Sequence, residues 1–195
     1  VLDGRGSLYR VTLQRVERDE AVGRVVGRED ATGEPRVSLV LYAALIKGSR
    51  FEWIVQKGTE LGVARFVPMV TERTVVRDLP LSSHRMARWE RIAQEAAEQC
   101  GRARVPQIVE PLTFAAACQQ AATADLGLIG WTEESQRSLA SLFTDRPGDV
   151  ALLIGPEGGF TPEEVALARA QGILPFSLGP RTLRAETAAV VAVAL

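Results

Sequence analysis

The stretch LLIGPEGGFTPEE, residues 152–164, constrains the fold more than any other part of the chain. Residues 150–154 are apolar without interruption, the pattern of a strand buried on both faces of a parallel sheet. The run stops at Gly155 and Pro156, and Gly158 and Gly159 follow. Glycine admits positive φ and lets a ligand approach the backbone closely. A helix start comes next, with Thr161 at the cap, Pro162 at the first helical position and Glu164 completing a capping box. Strand, glycine-rich turn and capped helix is where an α/β protein usually puts its ligand. The same spelling also serves a tight connection that holds nothing. Glu157 narrows the ligand, because a phosphate cradle wants backbone N–H groups and positive charge rather than a carboxylate.

After residue 35 the alternation of strand and helix repeats. Residues 37–46 are nearly all apolar, a second doubly buried strand. Ser49 and Glu52 spell another capping box. The helix that follows reaches about Leu61, with Phe51, Ile54, Val55 and Leu61 on its apolar face and Gly62 as its stop. Residues 64–70 then complete a parallel βαβ unit. A long helix over 83–100 carries Met86, Trp89, Ile92, Ala93, Ala96, Ala97 and Cys100 at three- and four-residue spacing, which reads as core. Arg85, Arg88 and Arg91 share another side of it. Helices over 113–122, 136–143, 162–171 and from 187 onward, with strands over 125–131 and 173–178, continue the pattern. Residues 36–195 are therefore expected to form an α/β domain with a largely parallel sheet. Residues 8–16 and 21–28 read as two strands joined by a polar turn. Residues 1–35 are too short to be stable alone, so further strands are expected before Val1.

Composition excludes several chemistries. A single histidine, His84, rules out a multi-histidine metal site and weakens any Ser-His-Asp triad. Cys100 and Cys118 have neither metal spacing nor partners for a disulfide framework, which fits a reducing cytoplasm. No metal is expected. An apolar content of 46% with 24% charged residues is that of a globular protein. No apolar run approaches the roughly 20 residues of a membrane span. Net charge is zero over residues 1–46, +4 over 47–104 and −5 over 105–195. A basic middle is a modest hint of a polyanion, although on charge alone a solvated surface is the better account.

Ligands bind outside the carboxyl ends of parallel strands. Three expected strand ends carry a glycine, at Gly130-Trp131, Gly155-Pro156 and Leu178-Gly179. None matches a dinucleotide fingerprint or a phosphate-binding loop. Arg181, Arg184 and Glu186 follow the last of them. A guanidinium fork suits carboxylate or phosphate, and Glu186 is placed to orient it, or the same residues form an ion pair that fixes the loop.

The blocks IGPEGGF (154–160), Leu178-Gly179 and LRAETA (183–188) resemble the family of 16S ribosomal RNA uridine N3-methyltransferases, of the SPOUT class of knotted methyltransferases. FEWIVQKGTELGV (51–63) and EAAEQCGR (95–102) resemble the same family, so the resemblance covers nearly the whole chain in order. Ala185 stands where the family often has Thr, and Gly58 where Ala is common. The resemblance implies a parallel sheet with helices on both faces and a deep trefoil knot, an exception to the rule against threading. It implies S-adenosylmethionine bent in a pocket shaped by Ile129, Gly130, Trp131, Ile154, Gly155, Pro156, Gly158, Leu178, Gly179, Leu183 and Thr187. It also implies a homodimer with the site near the interface, and residues 1–35 as part of a PUA-like RNA-binding β-barrel.

The implied reaction methylates ring nitrogen 3 of a uridine. That nitrogen carries a weakly acidic proton, so Arg184 is the candidate stabiliser of the developing anion. Glu186 and Glu157 are the candidate orienting or proton-accepting carboxylates. The nitrogen lies on the pairing edge, so the target must be unpaired or flipped out. Lys47, Arg50, Lys57, Arg73, Arg77, Arg85, Arg88, Arg102 and Arg104 are the pool for phosphate contacts. A non-catalytic RNA-binding protein of ribosome assembly, or a methyltransferase acting on another RNA, are the alternatives.

Overall fold

The computed structural model describes residues 1–30, 33–76, 80–143 and 147–195. Strands β1 (Ser7–Val16) and β2 (Ala21–Asp30) form a separate antiparallel ribbon. The main sheet is built from β3 (Ser38–Ala44), β4 (Arg65–Val70), β5 (Gln107–Ile108), β6 (Leu112–Thr113), β7 (Leu126–Gly130), β8 (Asp149–Ile154) and β9 (Leu174–Phe176). Its order is β5-β4-β3-β8-β7-β9, with β6 also pairing with β4, and its pairings are parallel.

The doubly apolar strands follow from a sheet covered on both sides. Leu41 and Ala43 of β3 face a core with Phe51, Ile54, Trp89 and Ala189. Tyr42 and Ala44 face a second core with Phe114, Ala117 and Val165. The first face is therefore covered by α1 (Arg50–Glu60), α2 (Ser83–Cys100) and α5 (Ala185–Ala194), and the second by α3 (Phe114–Ala121) and α4 (Pro162–Ala170). The rings of Phe51 and Trp89 meet at 4.3 Å. Burying each such side chain contributes on the order of 1.5–3 kcal/mol.

Several local expectations are corrected. Ser49 makes no side-chain cap bond, because its backbone, at φ −81° and ψ 3°, is not in the extended cap conformation. The reciprocal bond fails because the Glu52 carboxylate is drawn away to Arg88 Nε at 2.7 Å and Nη2 at 2.8 Å. Leu61 leaves the apolar face and is exposed, as is Cys100 at the end of the α2 stripe. The helix expected over 136–143 shrinks to a 3₁₀ turn, Leu139–Leu142, capped by Ser138. Strands β5 and β6, of two residues each, carry no period for a sequence to display. By contrast, the Thr161 box forms as spelled: Glu164 N donates to Thr161 Oγ1 at 3.2 Å, and Thr161 N to Glu164 Oε2 at 2.9 Å.

Arg102 joins the ribbon side of the molecule to the main sheet. It is 5% exposed. Its Nη1 donates to Thr59 O at 2.9 Å and Val63 O at 2.8 Å, and its Nη2 to Glu34 Oε2 at 2.8 Å. Glu34 Oε1 in turn accepts from Arg104 N at 3.0 Å. Beside this joint Gly62 takes φ +98°, and a Cβ there would come within 2.3 Å of Pro35. Among the described residues no helix is long and apolar enough to cross a membrane, and no group of His, Cys, Asp and Glu could hold a metal.

Candidate functional site

A cleft opens at the carboxyl ends of β7, β8 and β9, where the chain order across the sheet reverses beside β3. Its walls include Gly130 at the end of β7 and Trp131 after it, Ile154 at the end of β8 with Gly155, Pro156 and Glu157 after it, and Leu178, Gly179 and Leu183 after β9. These sequence-distant residues are expected at a ligand, and the fold brings them together. Trp131 N donates to Phe176 O at 3.0 Å and Ser177 N to Arg137 O at 2.8 Å, which binds the first and third loops to each other.

Three expected cofactor residues do not line the cleft. Ile129 is 0% exposed and lies in the second core beside Leu153, because alternation along β7 sends its side chain away from Gly130. Gly158 turns to Arg73, whose Cβ would lie 3.1 Å from a Cβ at that position. Thr187 is off the line because α5 presents Ala185 and Ala188, three residues apart, to the cleft. The glycines also have a packing reason. A Cβ at Gly155 would meet the Phe160 ring at 3.2 Å, and one at Gly130 would meet Ile154 at 3.2 Å and Phe176 at 3.3 Å. Phe160, Phe176, Thr182, Ala185 and Ala188 line the cleft without having been among the expected cofactor residues. The small residues at 185 and 188, on one side of a helix beginning at a motif, are the signal that could have found them.

The charges are arranged around the glycine-rich turn. Arg50 Nη2 lies 2.8 Å from Glu157 Oε1, and Arg73 Nη1 donates to Gly158 O at 2.8 Å. The guanidinium of Arg169 lies 5.2 Å from the Trp131 ring centre, with Glu134 Oε2 3.9 Å from its Nη2. The backbone N–H of Gln136, and then that of Arg137, hold the Glu134 carboxyl below its usual range. Arg184 is exposed at the N-cap of α5 and makes no side-chain cap bond. Glu186 stands in the first turn, where the helix dipole favours a carboxylate. Its Oε2 is enclosed without a hydrogen-bond partner among the described residues. Among those residues no ion pair joins Arg184 to Glu186, so the orienting pair is not formed.

The basic pool divides. Arg102 is a structural buried residue and leaves it. Arg88 is taken by Glu52, Lys57 by Glu60 at 2.8 Å, and Arg50 and Arg73 by the turn. Arg85 lies over Trp89 at 5.1 Å. Lys47 and Arg104 are exposed. Arg181, outside this pool, lines the cleft. Arg77 lies outside the described residues.

Comparison with known proteins places this cleft in a family. The model of an RNA methyltransferase domain matches residues 33–195. The ribosomal RNA small subunit methyltransferase E of Synechocystis sp. is 38% identical over 100% of this chain, which spans 63% of that relative's length. The protein of the same name from Bacillus subtilis is 36% identical over 92% of this chain and 73% of its own. A solved ribosomal RNA small subunit methyltransferase E from Neisseria gonorrhoeae, bound to S-adenosyl methionine, superposes with a TM-score of 0.90 at 30% identity, covering 99% of this chain and 79% of that one. The chain belongs to the RNA methyltransferase domain family.

Proposed function

We propose that the chain methylates a uridine at ring nitrogen 3 in the RNA of the small ribosomal subunit, using S-adenosylmethionine. The observation that carries this reading is the meeting of the turn 155–160 and the loop 177–183 in one cleft, in a chain related to small-subunit ribosomal RNA methyltransferases. The cleft suits a bent nucleoside. Glycines and the small Ala185 and Ala188 leave backbone accessible, Leu178 and Leu183 offer apolar surface, and Glu157 complements a cationic group. When bound, the cofactor supplies an electrophilic methyl group.

The chain's own residues do the rest. Arg184, exposed at the start of α5, stabilises negative charge developing on the uracil ring. Glu186, beside Arg184 in the first turn of α5, is the proton-accepting carboxylate. Lys47, Arg104 and Arg181 contact phosphates of an unpaired or flipped-out target. The organisation proposed with this activity is a PUA-like piece over 1–35 and a SPOUT domain over 36–195. The C-terminal region is knotted as a trefoil, and a homodimer has its site near the interface. Calorimetry with S-adenosylmethionine should show binding, and mass spectrometry of ribosomal RNA from a deletion strain should show one methyluridine missing. A full complement of methyluridine would overturn the reading.

A further inference from the structure

The resemblance puts Arg50 in the pool for phosphate contacts, yet in the structure its Nη2 lies 2.8 Å from Glu157 Oε1, inside the turn that lines the cleft. We infer that Arg50 is a specificity-determining residue that sets the charge of the cofactor site. Paired with Glu157 it neutralises the cleft wall, and an RNA phosphate that takes Arg50 leaves the Glu157 carboxylate to attract a cationic cofactor. The inference rests on the S-adenosylmethionine reading of the cleft.

Four features support it. The pair is exchangeable, because its side chains are 38% and 34% exposed and a pair so solvated is weak and screened by salt. A phosphate offers the guanidinium a charge-assisted, bidentate alternative. Arg50 itself stands in the first turn of α1, outside the cleft and next to the exposed Lys47, whose backbone O accepts from Arg50 Nε at 3.1 Å. The turn also keeps its shape when the pair opens. Arg73 Nη1 holds Gly158 O at 2.8 Å, and Gly159 N holds Pro156 O at 2.9 Å, so opening changes charge rather than geometry.

The chemistry gives the device a direction. Loss of the methyl group turns the cofactor's positive sulfonium into a neutral thioether, so a bare carboxylate favours the methyl donor over its product. Coupling between the two ligands is reciprocal, so the cofactor tightens RNA as RNA tightens the cofactor.

The test is calorimetry of S-adenosylmethionine and S-adenosylhomocysteine with and without an oligouridylate. The oligonucleotide should tighten the donor by about 5-fold, the low end of ordinary coupling, and change the product by much less. Arg50→Ala should tighten the donor without RNA and abolish the RNA effect, Arg50→Lys should restore it in part, and Glu157→Gln should lose both the effect and the discrimination. Arg50→Gln serves if the alanine variant melts early. An RNA effect that persists in Arg50→Ala overturns the inference, as does an equal response of donor and product or no response at all. Donor binding without coupling removes this inference alone, whereas no donor binding in any condition removes the proposed function with it.

Discussion

At Gly58 two residue-level rules conflict. In the interior of a helix alanine is ordinarily better than glycine by roughly 0.5–1 kcal/mol. Here a Cβ would lie 2.7 Å from two atoms of the Phe66 ring, which is 0% exposed and cannot swing away. Overpacking of about 1–3 kcal/mol wins, so Gly58→Ala should lower the melting temperature. Adding Phe66→Leu should recover part of it. A melting temperature that rises in the single variant would show that the ring yields. Arg184→Ala tests the chemistry at the same scale. Turnover should fall roughly 10²-fold with cofactor affinity unchanged, and a wild-type rate would remove Arg184 from the mechanism. Cleft residues inside short motifs, such as Gly155 and Leu183, were legible, whereas Phe176 and Thr182, outside them, were not. Long-range pairs were not legible either. Arg102 meets Glu34 across 68 positions, and nothing local in either segment announces the pair.

Elements show the same division between local and distant causes. Both Thr161 and Ser49 are followed by a glutamate at capping-box spacing, and only the first box forms. Near Thr161 the neighbourhood cooperates. Pro162 sets the first helical turn, and Glu164 Oε1 also accepts from Glu72 N at 2.8 Å, tying the start of α4 to the loop after β4. Near Ser49 a distant arginine outbids the backbone for Glu52. Thr161→Ala should therefore cost about 1–2 kcal/mol by chemical denaturation, and Ser49→Ala less than about 0.5 kcal/mol. Equal losses would mean that α1 uses its cap after all. The long strands β3 and β8 were legible because burial on both faces leaves an unbroken apolar run. The ribbon register, with two shifts between β1 and β2, was not, because a bulge leaves no mark in an alternating pattern.

The two-core architecture of the whole molecule makes one buried thiol a reporter of global stability. Cys118 is 0% exposed in the core beneath α3 and α4. Burial, and then the charge of Glu164, push its thiol up to about 12 from an ordinary 9.0. Below pH 9.0 the thiol is protonated folded or unfolded, and its contribution is fully present. Between 9.0 and about 12 the unfolded chain ionises and the folded chain does not, so stability falls as pH rises. Burial raises the Tyr42 hydroxyl in the same sense, against the pull of Arg65, so the wild-type alkaline slope sums both groups. Cys118→Ala should flatten that slope by up to about 1.4 kcal/mol per pH unit and leave the Tyr42 share. Urea titrations from pH 8 to 11 measure it, and identical slopes in the two proteins would mean that the thiol is not held in the native core. Labelling provides the matching kinetic readout. Iodoacetamide should modify exposed Cys100 in the native protein and reach Cys118 only on unfolding. Cys118 modified as fast as Cys100 would require the α3 side of the sheet to open on its own, which the shared packing of Phe114, Ala121 and Ile173 against β7 and β8 opposes.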